Sequence, residues 1–321
     1  MLEEVINIDN ILSLKIHANI KAFDDINDKF VNITNDSEKI DYELFYNKTS
    51  KIKRIEFGTI MHPFRNANYI VNRNNDRVFA YSSNQRYTFE HTITRDDKTI
   101  NIDFIDDLNS QILKGTITEL LIRKLLEQGY FPVHSSSVVF DDKSTIYIGG
   151  KNGGKSASLL YDVLNNNGKP QSNDITFIKK DNDEWVSFGI PYDFTFSDSF
   201  LQALNIKNMD RFKTIKYDSD KIRFNVKDFC NIFNTQWIWK TKISNINIVN
   251  LNKENDYRLT RNVNKNDSML YLKKFGKDRN VNFDDYLMIN NINPNYNYDE
   301  LINDFDFNLV EGNIVKKKVR R

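Results

Sequence analysis

The segment Gly149-Gly150-Lys151-Asn152-Gly153-Gly154-Lys155-Ser156 fits G-x-x-x-x-G-K-[ST] at every fixed position. It constrains the fold because the pattern belongs in one context, with a strand running in and a helix running out. Both flanks agree. Ser144-Thr145-Ile146-Tyr147-Ile148 reads as a buried strand, and Ser156-Ala157-Ser158-Leu159-Leu160-Tyr161-Asp162-Val163-Leu164 as a helix. The chemistry is that of the backbone. Glycines let the chain curl until several N–H groups converge, and the helix N-terminus adds partial positive charge there. Gly149 to Ala157 are therefore the candidate nucleotide-binding residues. Lys155 is expected to reach the β- and γ-phosphates and the Ser156 hydroxyl to ligate Mg²⁺.

Composition narrows the class. Lys and Arg number 45 against 44 Asp and Glu in 321 residues, so no global field draws nucleic acid or an anionic membrane. Mean hydropathy is −0.58, and no apolar run approaches the length of a membrane span. Met1-Leu2-Glu3-Glu4 has no basic n-region, so no signal peptide is expected. Cys230 is the single cysteine, which excludes a disulfide framework or a cysteine metal cluster. These readings predict a cytoplasmic protein. Asn, Lys, Ile and Asp are used so heavily that short motifs built from them arise by chance. The basic ending Lys316-Lys317-Lys318-Val319-Arg320-Arg321 reads as a solvated tail.

Residues 1–107 read as a β-rich N-terminal domain. Lys53-Arg54-Ile55-Glu56-Phe57, Ala67-Asn68-Tyr69-Ile70-Val71 and Arg77-Val78-Phe79-Ala80-Tyr81 are short β-branched and aromatic runs between Asn/Asp turns. Thr99-Ile100-Asn101-Ile102-Asp103-Phe104 alternates strictly. From about Asp107 the period becomes helical, with Leu108, Ile112, Leu113, Ile117, Leu120, Leu121, Leu125 and Leu126, and Gly129 as the C-cap. Residues 108–321 are assigned to a second, nucleotide-binding domain. Phe131 to Phe140 reads as a strand. The helix after the loop stops at Asn165-Asn166-Asn167-Gly168. Ile175-Thr176-Phe177-Ile178, Trp185 to Pro191 and Ile243 to Val249 read as strands, and Phe224 to Trp239 as partly helical. The fold class predicted is α/β, with a mixed sheet and flanking helices behind a β-rich domain.

The order Val133-His134, Ile146-Tyr147-Ile148-Gly149, the loop, a helix, Gly168 and Asn173-Asp174 resembles the HPr kinase-like branch of P-loop proteins. That branch is related to phosphoenolpyruvate carboxykinases and includes serine kinases and peptide-maturation kinases. The resemblance covers about residues 108–260 and is strongest over 131–178. It implies ATP and Mg²⁺ as cofactors and transfer of the γ-phosphoryl group to a serine of a protein or ribosomally made peptide. It also brings His134 to the phosphates, to approach the γ-phosphate or help orient the acceptor. The chain departs from the pattern twice: Lys151-Asn152 replace the usual Ser-Gly, and Asn173 stands where the first of two acids is expected.

Asp174 is the candidate base and second metal ligand. A helix and a return strand would carry it back beside the loop, at the carboxyl end of a strand, where α/β sheets bind ligands. The alternative for Asp174 is an Asx turn, and for His134 alone a structural histidine. Ser135, Ser136 and Ser137 lack a G-x-S-x-G elbow and read as small polar strand residues. Lys151, Lys213, Lys216, Arg223, Arg258 and Arg261 are candidates for positive charge around the departing phosphoryl group. His17, His62 and His91 have no metal-ligand spacing. Two rival readings stand beside the kinase: a GTPase using Asn264-Lys265-Asn266-Asp267, though no D-x-x-G precedes it, and a non-catalytic nucleotide-binding regulator, favoured by Asn173. The partners expected are a nucleotide and a protein or peptide acceptor, with no nucleic acid and no membrane. A homo-oligomer is left open. Residues 1–107 are assigned to substrate recognition because they have no other evident role.

Overall fold

The computed structural model describes residues 1–35, 39–51, 59–64, 67–72, 77–84, 87–96, 98–105, 110–150, 153–203, 215–218, 221–249 and 310–311. The chain is mixed α/β, with mixed sheets and few helices, and its described residues gather into two units. Residues 1–27 and 32–128 form the first, and 28–31 with 129–249 and 310–311 the second.

The first unit is built on one eight-stranded sheet. Its elements are β1 (Leu2–Ile8), β2 (Leu12–Ala18), α1 (Ile20–Lys29, whose last turn falls to the second unit), β3 (Tyr42–Lys48), β4 (Thr59–Phe64), β5 (Ala67–Asn72), β6 (Arg77–Asn84), β7 (Tyr87–Asp96), β8 (Thr99–Phe104) and α2 (Ser110–Glu127). The strand order is β1-β2-β3-β8-β7-β6-β5-β4. The β2/β3 and β3/β8 pairs are parallel and the others antiparallel. Along β8 each isoleucine and the final phenylalanine are buried while Thr99, Asn101 and Asp103 are half-exposed, so the alternation in the sequence is the alternation across the sheet. Asn19 caps α1 by accepting the Ala22 N–H at 2.8 Å, and Ala22, Phe23 and Ile26 are buried. On α2, Leu113, Ile117, Leu120, Leu121 and Leu125 are fully buried. The change of period at about residue 107 is thus a change of element, and the edge between units falls at Gly129, whose φ of 83° ends the helix.

The second unit contains β9 (Phe131–Phe140), β10 (Lys143–Ile148), α3 (Lys155–Asn165), β11 (Lys169–Ser172), β12 (Ile175–Asp181), β13 (Glu184–Gly189), β14 (Phe194–Ser197), α4 (Asp198–Ala203), β15 (Ile215–Asp218), β16 (Lys221–Phe224), α5 (Val226–Ile232), β17 (Lys240–Ile248) and β18 (Val310–Glu311). Five of these strands pair in a closed circuit. β9 pairs with β10, β10 runs parallel to β17, β17 pairs with β13, β13 with β12, and β12 returns to β9. Ser144 of β10 and Ser187 of β13 meet at 2.8 Å although β17 lies between their strands, so their hydroxyls touch across the inside of the ring. Ile146, Ile148, Ile178 and Ile246 share that interior, and all are buried. β14, β16 and β15 form a separate antiparallel sheet over an aromatic cluster that includes Phe194, Phe196, Phe224 and Phe229.

Among the described residues, no helix is long and apolar enough to cross a membrane.

Candidate functional site

The glycine loop joins β10 to α3. At Gly149 a Cβ would lie 2.3 Å from the Val249 carbonyl oxygen, so only a residue without a side chain lets the two parallel strands finish side by side. Gly153 N–H donates to Gly150 O at 2.9 Å and closes a turn. Gly154 takes a φ of 99° at the N-cap of α3, and no side chain caps the helix. Lys155 opens the helix and is 8% exposed. Its ammonium folds back to donate to Gly149 O at 2.9 Å and Gly150 O at 3.1 Å. Ser156 and Ala157 follow in the first turn, both half-buried. Lys151 and Asn152 lie outside the described residues.

Side chains on the outer face of the ring dock α3. Residues of β9 alternate, so His134, Ser136 and Val138 face outward while Ser135 and Ser137 face the interior. The Ser136 hydroxyl donates to the Lys155 carbonyl at 2.8 Å. Tyr147, paired with Ser136 across β9/β10, donates its phenol to the Asp162 carboxylate of α3. Burial first, and then the Asp162 charge, push the Tyr147 phenol above its usual range, so it remains a donor. Gly168 lets the return chain pass close to Val138, where a Cβ would stand 2.4 Å from its methyl.

Ring pairing brings the second half of the motif back to this face. β11 and β12 run along one edge of β9 while β10 runs along the other. At the bend between β11 and β12, Asp174 O accepts the Ser135 N–H at 3.2 Å, and His134 Nε2 lies 3.3 Å from Asp174 Oδ1. His134 is two residues from Ser136 on one strand face, about 7 Å along the strand. Asn173 is 9% exposed; its Nδ2 donates to the Asp193 carbonyl at 3.3 Å, and its Oδ1 has no hydrogen-bond partner. The Asp193 carboxylate in turn accepts from Arg223 Nε at 2.7 Å and Nη2 at 2.6 Å.

The structure thus joins His134 to Asp174, and Lys155 to Gly149 and Gly150. Arg223 reaches this end through Asp193. Ser135 and Ser137 belong to a buried hydroxyl network: Ser135 donates to Thr176 at 2.7 Å and Ser137 to Ser172 at 3.0 Å. His17 pairs with Glu43 at 2.8 Å in the first unit. His62 and His91 lie on β4 and β7. Lys216 lies on β15. Lys213, Arg258, Arg261 and Asn264-Lys265-Asn266-Asp267 lie outside the described residues, as do Lys53-Arg54-Ile55-Glu56-Phe57 and the basic ending. Sequence reasoning missed the Tyr147–Asp162 clasp and the Asn173–Asp193–Arg223 chain. An aromatic hydroxyl in the strand before the loop, with an acid on the following helix, was a usable signal for the first.

No family model matches the chain, and no curated protein matches it. Among solved structures, the Hpr(Ser) kinase/phosphatase from Coxiella burnetii aligns at 13% identity. The alignment covers 40% of this chain and 69% of that one, with a TM-score of 0.24, a faint likeness.

Proposed function

We propose that the protein is an ATP- and Mg²⁺-dependent kinase that transfers a phosphoryl group to a hydroxyl, a serine of a protein or ribosomally made peptide. The observation that carries this reading is the setting of Lys155, a buried ammonium held by the carbonyls of Gly149 and Gly150 at the mouth of an uncapped helix. Gly149 to Ala157 hold the phosphates through backbone N–H groups. Lys155 turns its ammonium from the loop carbonyls to the β- and γ-phosphates. Ser156 and Asp174 are the residues that would hold Mg²⁺, which would neutralise charge on the transferring phosphoryl group. Bound ATP supplies the phosphoryl group. Asp174 accepts the proton of the attacking hydroxyl, and His134, 3.3 Å away, orients the carboxylate.

The test is a melting-point panel with ATP, GTP and no nucleotide, each with and without Mg²⁺, because a ligand that binds only the folded chain raises its melting point. Wild type should be stabilised by ATP and Mg²⁺, and Lys155→Ala should lose that shift. Asp174→Asn should keep it while slowing phosphate release from ATP by about 10²- to 10⁴-fold. Equal stabilisation of wild type and Lys155→Ala would remove the loop from the reading. A preference for GTP would replace the kinase with the GTPase. Nucleotide binding with no transfer in wild type would favour the regulator.

A further inference from the structure

Asn173, at the bend between β11 and β12, has a side chain that is half used. Its amide nitrogen is committed to the Asp193 carbonyl, which fixes which way the carboxamide faces. Its Oδ1 is buried without a hydrogen-bond partner, immediately before Asp174 in the chain. A buried acceptor left unpaired costs free energy that a hydrogen bond from a bound group would recover. The holding group is itself anchored, because the Asp193 carboxylate is gripped twice by Arg223. The carboxamide is therefore braced, and its unpartnered acceptor belongs to the residue that directly precedes Asp174.

We propose that Asn173 Oδ1 is a binding group for a neutral O–H donor that enters beside Asp174. This rests on the nucleotide-site reading above. Two sources share that chemistry: the hydroxyl that accepts the phosphoryl group, and a water carried by the divalent cation. An amide oxygen takes a hydrogen bond but not the proton, so Asn173 positions the donor and leaves the proton to Asp174. When water is the acceptor, its oxygen bonds phosphorus as the bond from phosphorus to the ADP oxygen breaks. The water proton passes to Asp174 and then to solvent.

The experiment uses the full chain with ATP, Mg²⁺ and water as the O–H probe. Phosphate release and the nucleotide melting shift are measured for wild type, Asn173→Leu, Asn173→Asp and Lys155→Ala. Asn173→Leu should keep the ATP shift and lower release at saturating ATP by about tenfold or more, the cost of one lost hydrogen bond to a bound group. Asn173→Asp keeps the acceptor but loses the donor to Asp193. It should release phosphate within a few-fold of wild type, whereas a purely structural role for the amide would make it as poor as Asn173→Leu. If the donor is a cation-bound water, Asn173→Leu also raises the Mg²⁺ concentration for half-maximal release. If it is the acceptor hydroxyl, that concentration is unchanged. The inference is overturned by wild-type release from Asn173→Leu, by inactive Asn173→Asp, or by a wild type that binds ATP and Mg²⁺ yet releases no phosphate. Should Asn173→Leu fail to fold, Asn173→Asp decides alone. A wild type with no nucleotide shift overturns the nucleotide reading and this inference together.

Discussion

At the scale of single residues, a side chain's surroundings decide whether its chemistry is available. The places of Lys155 and Ser156 at the start of α3 were legible from motif spacing, because the pattern puts a helix directly after its last glycine. Asn173 was legible only as a departure from an acid pair. Its bond to Asp193 spans 20 residues and depends on how β13 returns, which no local pattern encodes. Cys230 is the converse case, chemically capable but shielded. It is buried in α5, and burial pushes its thiol from 9.0 up to about 11. Two outcomes follow. A disulfide reagent at neutral pH should label Cys230 only at the rate at which the chain opens. The folded state also holds the thiol proton more tightly than the unfolded state. Stability should therefore fall as pH rises from about 9 to about 11, with no contribution from this group below 9. Denaturant melts across that range, with Cys230→Ala as the reference, would read the difference; identical slopes for the two proteins would refute it.

Elements were read well where period and burial agree. β8 and α2 carry their side-chain pattern in the sequence, and the strand before the glycines and the helix after them stand where the motif needs them. What joins those elements was not legible. β10 and β17 pair in parallel at Lys143 and Lys242, nearly a hundred residues apart, and nothing in either segment names its partner. α3 is attached by a similarly non-local device, the phenol of Tyr147 on the carboxylate of Asp162. Tyr147→Phe removes the donor and leaves a buried carboxylate that still accepts from Asn166 at the end of α3. The expected loss is about 1–3 kcal/mol in denaturant melts. Asp162→Asn in the same chain should recover part of it, because the buried charge is gone. A double variant no more stable than Tyr147→Phe would argue against the clasp.

The whole molecule is not two consecutive segments. Residues 28–31 belong to the second unit although they precede most of the first in the chain. The Trp239 indole donates to the Val31 carbonyl at 3.0 Å, and Lys227 meets Asp28 at 2.8 Å. A chain beginning at residue 129 keeps every strand of the ring but strands a buried indole N–H. Its melting transition should fall by about 2–6 °C relative to the same unit in the full chain. Trp239→Phe should narrow that gap, since phenylalanine has no N–H to satisfy. A truncated chain that melts with the full one would show that Val31 contributes nothing.

Closure of the ring carries a consequence for how the second unit comes apart. An open sheet frays from its outermost strand, and each strand lost exposes the next. Five strands paired in a circle offer no outermost member, so a single broken pair turns the circle into an ordinary sheet with two raw edges. The interior hydroxyls of Ser144 and Ser187, which meet across the ring, would then trade that bond for water in one event. Backbone amides of β9, β10, β12, β13 and β17 should accordingly exchange their hydrogens together, as one kinetic block.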